Sequence, residues 1–238
     1  MIELQSTSST NDFALDLIRS GQGRDGLVIW AKEQTKGRGR RGRVWISPPG
    51  NLHCSMILDV KGRRAEAAQI GFVAAVALVD ALRLLMSVPT FQCKWPNDVM
   101  ADGVKLAGML LESEGKDWLV LGLGVDVVHA PPSDVIERPA TSLALLGFTG
   151  SAKEVLERFT VCMAEWLVCW RRDGFVPIRS AWLDRAIGLG GPITVRLETQ
   201  TTTGTFVDLK DDGALVMKDD WGQDHVILAG DVFVGVTG

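Results

Sequence analysis

An α/β domain followed by a small all-β unit is the architecture this sequence predicts. Three observations predict it. Apolar runs of strand length alternate with longer helical patterns through the first three-quarters of the chain. The pattern changes around Gly188-Leu-Gly-Gly-Pro192, beyond which short Val/Thr/Ile/Leu runs are broken only by turn signals. The overall composition, 46% hydrophobic and 23% charged over 238 residues, is that of an ordinary globular protein.

The elements follow in order. Residues 11–20 combine helical spacing of apolar residues with a Ser/Thr/Asn-rich start, which predicts a capped helix. Residues 27–33 and 52–60 are apolar and partly alternating, as strands are, and 91–95, 105–114 and 118–125 read the same way. The stretch from Ala65 to Met86 is apolar enough to suggest a membrane span, but it contains Glu66, Gln69, Asp80 and Arg83. It therefore predicts a buried amphipathic helix over 65–87. Helices are also expected over 152–172 and 176–186. From Ile193 onward, turns such as Lys210-Asp-Asp-Gly213 and Asp220-Trp-Gly222 separate five short strands, which implies a small β-barrel. The chain thus divides into 1–187 and 188–238.

The composition also excludes several classes. The N-terminus has neither the charged nor the apolar region of a secretion signal. Four cysteines form no CxxC pair and the three histidines are scattered, so no structural zinc is expected. The thiols suit a reducing cytoplasm.

Against a formal net charge of −4, residues 37–45 stand out: Gly37-Arg-Gly-Arg-Arg-Gly-Arg-Val-Trp45. Glycine lets backbone approach an anion, and arginine supplies a fixed fork of donors for phosphate or carboxylate. The stretch lacks the Gly-Lys-Ser/Thr of a phosphate-binding P-loop and the spacing of a dinucleotide fingerprint. Taken alone it fits a loop over a small anion, a nucleic-acid tether or a solvated turn. Flanking strands on both sides make it a poor tether.

Lys94-Trp-Pro-Asn-Asp98 is the next unusual segment: a strand stopped by Pro96, then two short polar side chains in a turn. Lys105-Leu-Ala-Gly108 opens another strand seven residues past Asp98. If 94–98 and 105–112 form a hairpin, Asp98 and Lys105 meet at its mouth. Such a pair is either a surface ion pair of small worth or, beside an anion loop, a place for Mg²⁺ and for charge on a phosphate. Ser8-Ser-Thr-Asn11 reads as a helix cap or as a polar ligand contact. Gly122-Leu-Gly-Val-Asp126 ends a strand with two glycines, a sign of close backbone approach.

Taken in order, these segments resemble bacterial biotin protein ligases, the biotin–[acetyl-CoA-carboxylase] ligases. The likeness rests on Ser9-Thr-Asn11, Gln34 with the Arg/Gly run through Trp45, Lys94 to Asp98, Lys105 to Gly108, Gly122-x-Gly124, Ala140-Thr-Ser-Leu143, Gly213-Ala-Leu-Val and Ala229-Gly-Asp231. It implies an α+β fold, a mixed sheet with packed helices like that of class II aminoacyl-tRNA synthetases, plus a small SH3-like β-barrel. It implies the type without a helix-turn-helix, hence no DNA and no membrane. The implied substrates are biotin and ATP with Mg²⁺, and the implied acceptor is a lysine of a biotin carboxyl carrier protein. An exposed sheet edge would permit a monomer or a homodimer.

By the same resemblance, Ser9, Thr10, Asn11 and Gln34 hold the ureido ring, while Arg38, Gly39, Trp45 and Gly108 line biotin's remaining surface. Arg40 neutralises the carboxylate and α-phosphate, and Lys105 stabilises charge on phosphorus. Arg38, Arg43 and Asp126 join Arg40 and Lys105 around the nucleotide. Asp98 places Mg²⁺ or polarises the carrier lysine. Glycine content and repulsion among the four arginines predict a mobile empty loop.

The chain departs from the family at Asp126, where Asn is usual: an ionised Asp only accepts, and adds charge near phosphates. Its tail, Val232 to Gly238, lacks a basic residue that some members place near the nucleotide. A ligase for another small carboxylic acid, a non-catalytic binder of biotin or its adenylate, and a nucleic-acid protein are the competing readings.

Overall fold

A computed structural model describes residues 1–132, 134, 139–197 and 199–235. The last three residues of the tail lie outside the described residues. Seven strands form the first sheet, in the order β1-β2-β3-β7-β6-β5-β4. They are β1 (Ile2–Leu4), β2 (Val28–Ala31), β3 (Leu52–Asp59), β4 (Phe91–Lys94), β5 (Asp98–Ala101), β6 (Val104–Glu114) and β7 (Trp118–Val125). Only β1 and β2 run parallel; every other neighbour is antiparallel. The sheet is therefore mixed and the fold α+β.

Alternation along β3, β6 and β7 gives the sheet two different faces. Cys54, Met56, Leu58, Met109, Leu121 and Leu123 point into the main core beneath α2 (Ile70–Leu85), α3 (Ala152–Asp173) and α4 (Phe175–Leu183). Ile57 and Val120 point the other way, onto a smaller core under α1 (Thr10–Arg19). The apolar helix of residues 65–87 is a 3₁₀ turn over 64–69 followed by α2, and α2 is buried on nearly every side rather than on one stripe. That burial explains a hydropathy high enough for a membrane span in a helix that packs inside the protein.

The sequence reading missed two strands. β1 is three residues long, too short to carry a period, and exists because it pairs with β2. β5 starts at Asp98, where a turn was expected. The hairpin is consequently not 94–98 against 105–112. Asp102 and Gly103, both at positive φ (46° and 79°), make a two-residue turn joining β5 to β6. Helix α4 also stops at Leu183 rather than 186, because Ala186 turns back to bridge Cys93 on the edge of β4.

Five antiparallel strands form the second sheet, in the order β11-β10-β9-β8-β12: β8 (Pro192–Arg196), β9 (Thr201–Leu209), β10 (Leu215–Lys218), β11 (Asp224–Ile227) and β12 (Asp231–Val234). It forms the small SH3-like unit and packs on α2 and α4. Trp182 bridges the two sides, 5.4 Å from the Phe72 ring and 6.3 Å from Phe206. Trp95 donates from Nε1 to Gly213 O at 2.9 Å, tying the segment before β5 to the turn before β10.

Candidate active site

A cavity of about 740 Å³ opens on the α1 side of the large sheet. Its floor is built by pleating. Gly122 and Gly124 of β7, and Asp126 just past its end, continue the face that carries Val120, and β6 sets Leu110 and Gly108 beside the two glycines. The glycines are there for space. A Cβ on Gly122 would lie 2.5 Å from Asn11 Oδ1, and one on Gly124 would lie 2.4 Å from the Trp45 indole.

One end of the cavity is polar and tightly bonded. Thr10 donates from its backbone N–H (2.8 Å) and hydroxyl (3.1 Å) to Gln34 Oε1, while Gln34 Nε2 donates to Ser47 Oγ at 3.0 Å. Gln34 thus satisfies an open donor at the start of α1 from 24 residues away. Ser9 occupies the N-cap position yet makes no capping bond, so its hydroxyl is not committed to the helix. The simple capping-box reading of Ser8 to Asn11 is corrected accordingly. Asn11 donates to Glu112 Oε2 at 2.6 Å, and Ser55 Oγ lies 2.5 Å from Asn11 Oδ1 and 2.7 Å from Thr10 Oγ1.

The Arg/Gly segment closes the cavity, and its arginines take separate partners. Arg38 is clamped by Asp12 (2.7 Å) and Glu112 (2.8 Å), and these two hold its guanidinium above its usual value, the Asp12 hydrogen bond most of all. Arg38, its guanidinium held by these carboxylates, lines the cavity beside Gly39. Arg40 donates to Asn97 Oδ1 at 3.2 Å. Burial, then repulsion from Arg41, lowers its guanidinium from the ordinary value, against the pull of Asp231 and Asp98. Arg43 reaches across to Asp231 at the start of β12, so its charge is balanced by the small unit. Trp45 lies over Gly124 and Gly108, with Lys105 Nζ 5.6 Å from its ring.

Lys105 reaches this face because β6 is bulged. The β5–β6 register shifts between Val99 and Met100, so Val99 pairs with Ala107 but Met100 pairs with Lys105. Leu106 and Ala107 both enter the main core, and the extra residue swings Lys105 to the cavity side. There its ammonium is 2.7 Å from Asp98 Oδ1. The pair is a hydrogen-bonded site contact, not a hairpin mouth. Asp98 therefore has one oxygen already engaged. A Mg²⁺ arriving here suits phosphate ligation, with at most one carboxylate from this pair. Among the described residues no group of three or more His, Cys, Asp or Glu could hold a metal by itself.

Asp126 ends the floor and is only 3% exposed. Its Oδ1 accepts from Asn51 Nδ2 at 3.1 Å. Burial pushes its carboxyl up to about 8, with the Lys105 charge opposing. Burial without a paired cation favours the neutral acid, which weakens the repulsion of phosphate expected of an ionised Asp126.

Sequence reading missed Asn51, Ser55, Asn97, Glu112 and Asp231. Asn97 and Asp231 stand in segments already singled out, Lys94 to Asp98 and Ala229 to Asp231, but without a role in the site, while Asn51, Ser55 and Glu112 carry no local motif. Ser55 and Glu112 left a weak signal, polar residues inside otherwise apolar strands, where an unpaired polar group is costly.

With this geometry in hand, the chain matches two family models. The biotin/lipoate A/B protein ligase family model matches residues 3–126, and the biotin protein ligase C terminal domain model matches 188–235. A biotin–[acetyl-CoA-carboxylase] ligase of Paracoccus denitrificans is 41% identical, covering 98% of this chain and 99% of its own length. The enzyme of the same name from Mycobacterium tuberculosis is 33% identical over 95% of this chain and 85% of its own. Among solved structures, biotin protein ligase from Aquifex aeolicus in complex with biotin and ATP aligns with a TM-score of 0.87 and 28% identity, covering 98% of each chain.

Proposed function

The chain belongs to the biotin/lipoate A/B protein ligase family, and we propose that it works as an ATP-dependent biotin protein ligase. The biotin carboxylate attacks the α-phosphate of ATP, forming biotinyl-5′-AMP and releasing pyrophosphate. A carrier-protein lysine, as the free amine, then attacks the mixed anhydride. An amide forms, AMP leaves, and the amine loses its proton.

The observation that carries this reading is the sequence of chemistries along one cavity. Polar groups of Ser9, Thr10, Asn11 and Gln34 lie at one end, Arg40 and the Lys105–Asp98 pair in the middle, and Asp126 at the other. The first end offers both donors and acceptors, which suits a ureido ring and favours biotin over an acid with an apolar tail. Cations placed before the reaction stabilise charge gathering on phosphorus without waiting for solvent to reorganise. Asp98 keeps the Lys105 ammonium aimed into the cavity. Arg43, drawn to Asp231, holds the loop across the nucleotide end. We take 1–187 as the catalytic unit and 188–238 as the unit that supplies Asp231. The site of action is the cytoplasm, where thiols such as the free, buried Cys54 and Cys93 stay reduced.

The test incubates the protein with Mg-ATP, biotin and an apo carrier domain. Pyrophosphate release and biotin on the carrier are both expected. Release without transfer would limit the chain to adenylation, and neither would leave it a non-catalytic binder.

A local prediction follows from the crowded floor. Gly122→Ala is expected to raise KM for biotin about tenfold or more, as displaced-group effects of 1–3 kcal/mol imply, with a smaller change in kcat. The added Cβ would strike Asn11 Oδ1, and Asn11 is already fixed by Glu112 and Ser55. An unchanged KM in steady-state adenylation would remove Asn11 from the biotin end.

A further inference from the structure

A closed ring of hydrogen bonds runs around the polar end of the cavity, joining the two limbs of the Arg/Gly segment. From the entry limb, Arg38 donates to both oxygens of Glu112, at 3.0 and 2.8 Å. Glu112 Oε2 also accepts from Asn11 Nδ2 at 2.6 Å. Asn11 Oδ1 lies 2.5 Å from Ser55 Oγ, which is 2.7 Å from Thr10 Oγ1. Thr10 N–H donates to Gln34 Oε1, Gln34 Nε2 donates to Ser47 Oγ, and Ser47 donates to Trp45 O at 3.1 Å on the exit limb. Trp45 N–H returns to Gly37 O at 3.0 Å, next to Arg38.

Such a ring has a direction, and most of its members take theirs from a neighbour. A hydroxyl donates one hydrogen and accepts with its lone pairs, so Ser55 and Thr10 can serve either order. The Asn11 amide can stand either way round. Glu112, paired with Arg38, is a carboxylate and only accepts. It turns Nδ2 of Asn11 toward itself and Oδ1 toward Ser55. Ser55 then spends its hydrogen on Asn11, the shorter of its two contacts, and meets Thr10 with a lone pair. The Gln34 branch is fixed separately, because Trp45 O takes the Ser47 hydrogen and Thr10 N–H meets Gln34 Oε1. Removal of Glu112 opens a second order, in which Ser55 donates to Thr10 and accepts from Asn11 Nδ2.

The order matters because the ring is dry. Thr10, Asn11 and Ser55 are 3%, 4% and 0% exposed, so water cannot repair a donor facing a donor there. Glu112 itself is different. It follows Gly108 and Leu110 along one face of β6, yet its side chain stands outside the cavity lining and is 28% exposed.

We propose that Glu112 is a positioning residue for the substrate's head group: held by Arg38, it sets the donor and acceptor order that Asn11 and Ser55 keep at the polar end. It acts through these two side chains and touches no substrate. The order leaves Asn11 one N–H and one lone pair beyond its ring bonds, which suits a cyclic urea or another ring with N–H beside C=O. This rests on the reading of the cavity as a biotin site.

The experiment measures equilibrium binding of biotin, and separately of ATP, by calorimetry for the wild type, Glu112→Met and Glu112→Gln. Met keeps the length of the side chain without its oxygens, whereas Gln keeps one oxygen to stand in for Oε2. Glu112→Met is expected to raise Kd for biotin about tenfold or more, as an unmatched hydrogen-bonding group does, with Kd for ATP within about twofold. ATP binding also reports that the variant is folded, and Asp12 still holds Arg38 in it. Glu112→Gln is expected to recover most of the loss. In an Asn11→Ala background Glu112→Met should add no further loss, since the group it acts through is gone. Unchanged biotin binding in Glu112→Met, equal weakening of biotin and ATP, or a full additional loss on top of Asn11→Ala would overturn the role of Glu112 alone. A wild type that binds no biotin would overturn the proposed function and this role with it.

Discussion

Lys105→Ala is expected to cut kcat/KM for adenylate formation by about 10² to 10³, the effect of removing one preorganised charge-stabilising group. Two losses combine. The ammonium that meets charge on phosphorus is gone, and Asp98, 2.7 Å away in the native site, is left as an unbalanced carboxylate facing an anionic substrate. Asp98→Asn in the same background should recover part of the loss by removing that charge. Single-turnover formation of biotinyl-5′-AMP is the direct measurement, because it separates adenylation from transfer. A Lys105→Ala enzyme within threefold of the wild type would show that the bulge-directed lysine is not a catalytic residue.

Trp182→Ala is expected to be the most damaging substitution outside the cavity, costing about 3–5 kcal/mol as other buried Trp truncations do. Trp182 is 1% exposed and packs edge-on against Phe72 of α2 and against Phe206 of β9. Phe72 also meets Phe175, 5.5 Å away. Removing the indole opens a void where helix, helix and small sheet meet, and the surrounding side chains collapse only partly. A loss of this size corresponds to a fall in Tm of roughly 10 °C for a chain of this length. Urea unfolding followed by far-UV circular dichroism gives the free energy. A loss below 1 kcal/mol would mean that the two sheets do not depend on this cluster.

Much of the fold was legible because the signals were local. Helices α1 and α3, strands β3, β6 and β7, and the five short C-terminal strands all carry their own periodicity or turn residues within about ten positions. The parts that were not legible lacked such a signal. Ile2–Leu4 is a strand only through its pairing with β2. Asp98 looked like a turn residue after Pro96, and becomes the first residue of β5 because Gly108 and Lys94 pair on either side of it. Helix α4 lost its last turn to a backbone bridge with β4.

The site divides in the same way. The sequence by itself determined which chemical types are present and in what order: the Arg/Gly run, Gln34, the Lys94–Asp98 segment and Lys105, since residue identity and spacing are written in the chain. Tertiary structure alone decided their condition. A one-residue bulge turned Lys105 from the core to the cavity, clamping carboxylates engaged Arg38, and Asp231 from the far end of the chain took Arg43. It also decided the state of Asp126, because the charge of a carboxyl depends on the water and cations around it. Those surroundings come from Asn51, Lys105 and a buried strand end that only folding brings together.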